Sequence, residues 1–349
     1  MLERLNATPD NCFWGYFDPT IEPVLTVASG TEIDIEAVTH HSGDAPDLLM
    51  DAGIKAIWDG IPAETRTPGV HIMTGPIAVE GAEPGDALVV EILDMWPRLQ
   101  HGANLAAHWG RLYDDFGKER ITIYELDGPK TKNEAGYSQF PPTAKPIFGF
   151  DFTERELYDQ PGVISPPERN PRDVFSRDVA VPVRPHLGVM GVAPPGTERL
   201  DSVPPGIWGG NVDNWRFGPG ATVRYPVFHE GVGFYVGDPH FAQGDGELCG
   251  TAIEASLDVR LRLSIEKGAA PGAPLLEHDG SLYTHGFGPN LDEAMLAASR
   301  EMVTLITTRF GLSSDEAYSV MSVAIDLGIT QVVDGTVGCH ASIDPAIFK

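Results

Sequence analysis

Residues 237–254, GDPHFAQGDGELCGTAIE, form an unusually dense polar stretch that constrains how the chain can fold. Alternating apolar runs over 233–236 and 255–265 flank it, so we expect it to connect two strands. Its polar groups cannot all be buried without partners, because each unpaired group costs a few kcal/mol. Its glycines allow tight turns and a close approach to a ligand. The stretch therefore predicts an active site, with a solvated polar turn as the alternative.

Several histidines are candidate ligands of a metal. Asp238 and His240 are two residues apart, which places a carboxylate and an imidazole on the same side of an extended segment. Such oxygen and nitrogen ligands suit a divalent metal such as zinc. His71 lies among tight glycine turns and is predicted to face a pocket, with a structural histidine as the alternative. Adjacent His40 and His41 would point to opposite faces of a strand, so we expect only His41 to reach the metal.

Two further segments carry candidate residues. His186 lies among small residues, where a catalytic histidine and one bonded to a backbone carbonyl are both open. The segment GGNVDN at 209–214 is typical of backbone held near a polar ligand, with an Asx turn as the alternative. Cys249 has no adjacent base and is predicted to be a core residue. Serine hydrolysis and phosphate binding lack support, because neither a Gly-x-Ser-x-Gly elbow nor a phosphate-cradling glycine loop occurs.

The spacing of strands and turns predicts a mostly β fold, sandwich- or barrel-like, with an α+β C-terminal portion. Three alternating strand patterns each follow a glycine-containing turn. We divide the chain into a β-rich catalytic core over 1–265, with a Pro-rich excursion at 130–185, and an α+β part over 266–349 that packs on the core.

Helix signals come late in the chain. Asn290, with Glu293 three residues later, predicts the start of one helix. Ser313 with its own downstream glutamate predicts a second helix that continues through Leu327. A strand is then expected over 329–333.

The charge balance limits the partners of the chain. With 24 basic and 50 acidic residues the formal net charge is −26, which argues against nucleic acid and against an anionic membrane surface. A small neutral substrate is compatible with this charge. The 3 cysteines are odd in number and far apart, as expected in a reducing compartment. No apolar run of about 18 residues and no secretory leader are seen, so we expect a cytoplasmic protein that does not cross a membrane.

At these residues the sequence resembles the acetamidase/formamidase family. The matching stretches, in chain order, are VHIMTGPIAVEGAEPGDALVVEIL (70–93), PHLGVMGVAP (185–194), PPGIWGGNVDN (204–214), the stretch 237–254 and the C-terminal QVVD (331–334). HHSGDAPD at 40–47 departs from the better-known formamidases, which leaves the acyl preference open. The resemblance implies a β-rich fold, hydrolysis of short aliphatic amides to a carboxylate and ammonia, a homo-oligomer and a divalent metal. Carried over position by position, it points to His71, His186, Asn211, Asp213, Asp238, His240, Gln243, Asp245, Glu247 and Glu254.

The hypothesis that follows is a metal-assisted amide hydrolysis. We expect Asp238, His240 and His71 to hold the metal, with Asp213 and His41 as further ligand candidates. Zinc is the expected ion, with Ca²⁺ or Mg²⁺ as alternatives. A non-catalytic binding protein of the same fold and a hydrolase of a related carbamate or imide bond remain alternatives.

Four residues are the catalytic candidates within this hypothesis. Glu247 is expected to take a proton from the attacking water and deliver it to the departing nitrogen. Asn211 is expected to donate a hydrogen bond to the developing oxyanion. His186 and Glu254 complete the set.

Overall fold

The structure is a computed structural model, and it covers most of the chain. The residues that it describes are 2–128, 140–152, 162, 164–165 and 172–349. Much of the predicted Pro-rich excursion at 130–185 therefore lies outside the described residues. One part of it is regular, because Thr143–Phe152 forms a strand of 10 residues that pairs with Glu119–Leu126.

The largest sheet in the described part of the chain has nine strands. Within it Ile33 and Ile35 face the core, whereas Asp34 between them pairs with Arg260 of the neighbouring strand at 2.7 Å. This alternation is the period of two that the sequence shows. In spatial order the strands are Glu3–Leu5, Thr31–Ala37, Leu257–Glu266, Ala87–Pro97, Thr222–Pro226, Leu275–His278, Ser281–Gly288, Val337–Ile343 and Ile325–Ile329.

A second sheet packs against the first and carries the candidate site. One buried cluster joins Ile35 and Val90 of the first sheet to Leu187 and Val236 of the second, so the main core lies between two sheets. The predicted mostly β fold is confirmed. The strands of this sheet are Gly209–Asn211, His186–Gly191, Phe234–His240, Ile72–Val79, Cys12–Trp14 and Leu25–Val27.

Smaller elements complete the described chain. Ala52–Gly60 forms a helix that Asp51 caps by accepting a hydrogen bond from the Ile54 amide at 2.9 Å. The smaller sheets contain His101–Ala106, Glu119–Leu126, Thr143–Phe152, Asp173–Val174 and Val181–Pro182, and Tyr16–Phe17 with Leu200–Asp201. The short helices are Pro46–Leu49 and Tyr113–Phe116, and the 3₁₀ helices are His40–Gly43, Ala63–Thr65 and Pro345–Ile347.

The two long C-terminal helices begin where the sequence predicts. Leu291–Phe310 is capped by Asn290, and Ser314–Ala324 is capped by Ser313 in a complete capping box. The second helix ends three residues earlier than predicted, so its extension to Leu327 is wrong. Residues Ile325–Ile329 instead form an edge strand that pairs with Val337–Ile343, because tertiary pairing overrides the local helical pattern.

This shift also changes the predicted strand at 329–333. Residues 330–334 form a connection rather than a strand, and this connection reaches the candidate site. The strands of 266–349 continue the same nine-stranded sheet as those of 1–265, so the proposed division into two parts stays a prediction. Among the described residues, no helix is long and apolar enough to cross a membrane.

Candidate active site

A cavity of about 410 Å³ lies beside the strand Phe234–His240. Widely separated stretches of the chain contribute its walls, and the dense polar stretch at 237–254 supplies three of its acidic groups. His240 is fully buried next to Asp238, and His186 is fully buried behind His240. The other predicted site residues line the cavity directly: His41, His71, Asn211, Asp213, Asp238, Glu247 and Glu254.

Asp238 is the centre of the imidazole cluster. Its Oδ2 lies 3.1 Å from His240 Nε2 and 3.7 Å from His71 Nε2. The predicted same-side placement of Asp238 and His240 is therefore found in the structure. Burial opposes ionisation, but His240 and His71 outweigh it and hold the pKa of Asp238 well below its usual range. Asp238 is thus a buried carboxylate surrounded by imidazoles.

His71 is oriented by a serine behind it. Its Nδ1 lies 3.1 Å from Ser202 Oγ, which leaves Nε2 facing Asp238. Burial is the main cause that lowers the pKa of His71, which favours the neutral ring over the charged one. A neutral imidazole with one nitrogen fixed by a partner is the state that metal ligands adopt.

The sequence predicts a strand at His40 and His41, and this prediction is wrong. They begin a 3₁₀ helix, His40–Gly43, and both line the cavity. His40 Nδ1 lies 3.8 Å from Asp238 Oδ1, within the same group of potential ligands as His71. His41 instead pairs with Asp44 at 3.0 Å; burial lowers its pKa, but Asp44 outweighs this and raises the value to about 8. The structure thus brings His40 to Asp238, and a metal role for His41 stays a prediction.

Further acids converge around His240. Burial and the neighbouring Asp238 raise the pKa of Asp213 to about 7. Burial, Asp213 and Asp334 raise the pKa of Glu247 well above its usual range. Glu254 Oε2 lies 3.2 Å from His240 Nε2, and burial raises its pKa as well. Like charges this close cannot all ionise without a cation or a shared proton.

Three of these acids sit in a strained backbone conformation. Asp213, Asp238 and Glu247 have φ values of 49, 47 and 48°, in the left-handed region that favours glycine. Each such residue costs about 1 kcal/mol or more. The fold therefore holds these three carboxylates in positions that the local sequence would not select.

A second layer of side chains supports His240. His186 Nε2 lies 3.0 Å from His240 Nδ1, and its Nδ1 donates to the carbonyl of Arg184 at 2.7 Å. Burial lowers the pKa of His186 to about 3. Gln243, whose Oε1 lies 2.9 Å from His186, donates through Nε2 to the carbonyl of Asp213 at 2.6 Å. His186 and Gln243 thus orient cavity residues and do not line the cavity among the described residues.

Sequence reasoning missed Asp334 and the loop that presents it. Asp334 lines the cavity beside Asp213, and its only sequence signal was the QVVD ending, to which no role was attached. Gln331 is fully buried, and its Oε1 accepts from the amides of Val333 and Asp334 at 2.8 and 3.1 Å. The amide of Gly246 donates to Thr330 O at 2.9 Å, which ties this loop to the one that carries Glu247.

Gly188 is a second residue that sequence reasoning missed. A Cβ atom at this position would lie 2.5 Å from Asp213 Oδ1, 2.6 Å from His240 Cε1 and 2.7 Å from Asp238 Oδ2. No side chain fits there, so the glycine provides the space in which the two carboxylates and the imidazole approach one another.

Asp245 does not join the cavity. Its carboxylate pairs with Arg216 at 2.9 Å and accepts from Trp215 Nε1 at 2.9 Å, with a side chain that is 44% exposed. Cys249 is half-buried against Asn104 and is absent from the described lining.

The donor set fits a divalent cation. Several buried polar atoms have no hydrogen-bond partner among the described residues, and a buried charge is stable only when paired or coordinated. Potential ligand atoms lie within 4.8 Å of one another in three overlapping groups: His40, His71 and Asp238; Asp213, His240 and Glu247; and Asp238, His240 and Glu254. Among the ionisable side chains that line the cavity, the atoms without a hydrogen-bond partner are His40 Nδ1, Asp213 Oδ1, Asp238 Oδ1, Glu254 Oε2 and Asp334 Oδ2.

Known proteins are similar to this chain in sequence and in fold. An acetamidase from Mycolicibacterium smegmatis is 29% identical over 297 residues, which are 76% of this chain and 68% of that protein. A formamidase from Methylophilus methylotrophus is 34% identical over 217 residues, covering 56% of this chain but only 52% of that protein. The crystal structure of an acetamidase from Bacillus halodurans superposes with a TM-score of 0.76 at 26% identity, over 99% of this chain and 98% of that one.

The fold, the cavity and these similarities together identify a β-rich amidase. The model of the acetamidase/formamidase family matches residues 4–202 and 196–349, which is nearly the whole chain. The chain belongs to the acetamidase/formamidase family, and the family predicted from its sequence is confirmed.

Proposed function

We propose that this protein hydrolyses the C–N bond of small uncharged primary amides to a carboxylate and ammonia. The observation that carries the proposal is the convergence of Asp238, His240 and Glu247 at one cavity, in a chain of the acetamidase/formamidase family. The similarity to an acetamidase and to a formamidase supports the same reaction.

A bound divalent metal is part of the proposal. Asp238, His240 and His71 would hold it, and the mixture of imidazole and carboxylate ligands favours zinc over Ca²⁺ or Mg²⁺. When bound, such an ion polarises the amide carbonyl as a Lewis acid. The unpartnered buried oxygen of Asp238 supports this assignment.

Glu247 acts as the general base in this proposal. It takes a proton from the water that attacks the carbonyl carbon, and it returns that proton to the nitrogen as the C–N bond breaks. Burial and the neighbouring carboxylates of Asp213 and Asp334 raise the pKa of Glu247, which makes it a stronger base than an exposed glutamate.

Three other residues assist Glu247. Asn211 lines the cavity and donates from its amide to the developing oxyanion, worth roughly 3 kcal/mol per donor. His186 contacts Nδ1 of His240 and fixes the orientation of the ring, whereas Glu254 lies 3.2 Å from the Nε2 atom that would face the ion. His186 is therefore a positioning residue here.

The test is ammonia release from acetamide and butyramide by purified protein, before and after complete chelation and after zinc is added back. Activity should be lost on chelation and restored by zinc. Glu247→Gln should lower kcat at least 100-fold and retain bound metal, whereas Glu64→Gln at an exposed site should not change kcat.

The possible results separate the proposals. Activity that survives complete metal removal refutes the metal role, and full activity in Glu247→Gln refutes the base. Amide binding without ammonia release would identify a binding protein of the same fold.

A homo-oligomer and a cytoplasmic location complete the proposal. Cys12, Cys249 and Cys339 are free thiols, in accord with a reducing compartment. Light scattering coupled to size exclusion tests the oligomer, and fractionation of the native cells tests the location. A monomeric mass, or recovery outside the cytoplasm, contradicts the respective proposal.

A further inference from the structure

The cavity is larger than formamide or acetamide requires. Its volume is about 410 Å³, within the range of about 300–1,000 Å³ found for sites that bury drug-sized ligands. At about 30 Å³ for each water molecule, this volume holds roughly a dozen water-sized groups. Acetamide has four non-hydrogen atoms. An acetyl group would therefore leave most of the cavity to solvent.

Apolar side chains line the same cavity as the carboxylates. Trp109 is fixed there by its indole Nε1, which donates to the carbonyl of Gly250 at 3.0 Å. Apolar surface that remains accessible inside a concave site is stabilised when an apolar ligand group covers it. These side chains come from four separate segments, and all but the last are only half-buried: Val70, Trp109, Val203, Pro204 and Val333.

The charge of the cavity selects against anionic acyl groups. None of its described lining residues is lysine or arginine. His41, whose pKa is raised to about 8, is already paired with Asp44, so a carboxylate at the far end of an acyl chain would lose its hydration without gaining a lysine or arginine partner. The net charge of −26 adds to this repulsion. Seven described lining residues are carboxylic acids: Asp44, Asp201, Asp213, Asp238, Glu247, Glu254 and Asp334.

We propose that the preferred substrate is a primary amide whose acyl group is uncharged, apolar and larger than acetyl. An acyl chain of four or more carbon atoms, aliphatic or aromatic, packs against Trp109 and Val203 while the amide group faces the carboxylates. This inference rests on the proposed amide hydrolysis and specifies the substrate class of that site. Each additional buried methylene raises kcat/KM about fourfold until the apolar wall is covered.

The test is a series of primary amides given to the metal-loaded, full-length protein, with ammonia as the readout. The series contains formamide, acetamide, butyramide, hexanamide and phenylacetamide. We expect kcat/KM to be at least tenfold higher for the best longer amide than for acetamide. Succinamate matches butyramide in carbon number but carries a carboxylate, and its kcat/KM should be at least tenfold below that of butyramide.

A variant links this preference to the apolar wall. Val203→Phe fills part of the cavity and should lower the ratio of kcat/KM for hexanamide to that for acetamide at least tenfold. Val323→Phe makes the same change at a site that is 86% exposed and should leave this ratio unchanged. If Val203→Phe does not fold, the amide series and the succinamate pair decide the question with the unmodified protein.

The outcomes distinguish the two proposals. Highest kcat/KM for formamide or acetamide, or equal turnover of succinamate and butyramide, overturns the inference and leaves amide hydrolysis intact. If none of the amides releases ammonia, the proposed function fails and this inference fails with it.

Discussion

Gly188→Ala is the substitution that most directly tests the geometry of the site. Gly188 lies in the strand His186–Gly191 and does not require a left-handed backbone, so alanine is compatible with its conformation. The added methyl group would nevertheless stand 2.5–2.7 Å from atoms of Asp213, Asp238 and His240. The substitution therefore perturbs the site through a steric clash alone.

The size of the effect follows from these distances. To restore ordinary contacts of 3.4 Å, the three side chains must each move by about 0.7–0.9 Å. A misplacement of about 1 Å costs roughly 100-fold in rate. Overpacking of this kind lowers the free energy of unfolding by about 1–3 kcal/mol, which a chain of this size tolerates. We expect a folded protein with kcat/KM reduced about 100-fold and with weaker zinc binding.

The assay combines ammonia release, zinc titration against a chromophoric chelator, and urea unfolding. Gly244→Ala is the matched control, because a Cβ atom there meets nothing within 4 Å although the residue lies in the same polar stretch. It should leave all three measurements unchanged. Unaltered kcat/KM and zinc affinity in Gly188→Ala would show that Asp213, Asp238 and His240 do not act together at one site.

Three further substitutions test the layers around the cavity. His186→Leu removes the partner of His240 Nδ1, and the lost orientation should lower zinc affinity about 10- to 100-fold in a chelator titration; unchanged affinity contradicts the positioning role. Gln331→Met leaves two buried amides unpaired and should lower the free energy of unfolding in urea by about 2–4 kcal/mol. A loss below about 1 kcal/mol would contradict this role of Gln331 in holding the loop. In metal-free protein the raised pKa of Asp213, about 7, favours the protonated folded state, so its contribution to stability falls as pH rises from about 4 through 7. The Tm of Asp213→Asn should therefore rise relative to the Tm of the metal-free parent as pH increases from 5 to 8. A difference in Tm that stays constant over this range would contradict the raised pKa of Asp213.

Local sequence was sufficient for the features that depend on near neighbours. The caps at Asn290 and Ser313 form as predicted, because a side chain and the amides three residues later meet within one helical turn. The spacing of two residues also predicted that Asp238 and His240 share a side, although the fold imposes the left-handed backbone at Asp238. The resemblance of long motifs added the family, which single positions could not provide.

Long-range contacts decided the rest of the site. Residues 325–329 continue a helical pattern but pair with Val337–Ile343, and the loop between these two strands brings Asp334 to the cavity. The 3₁₀ helix His40–Gly43 decides which of its two histidines approaches Asp238, and this helix is nearly two hundred residues from Asp238 in the chain.

The sequence alone thus determined the strand pattern, the helix starts and the kinds of side chain available for the chemistry. Only the tertiary structure decided which of them converge, where Gly188 must lack a side chain, and how large the cavity is. The physical reason is that propensities and caps act over a few residues. A cavity, in contrast, is formed by segments that the packing of two sheets brings together from distant parts of the chain.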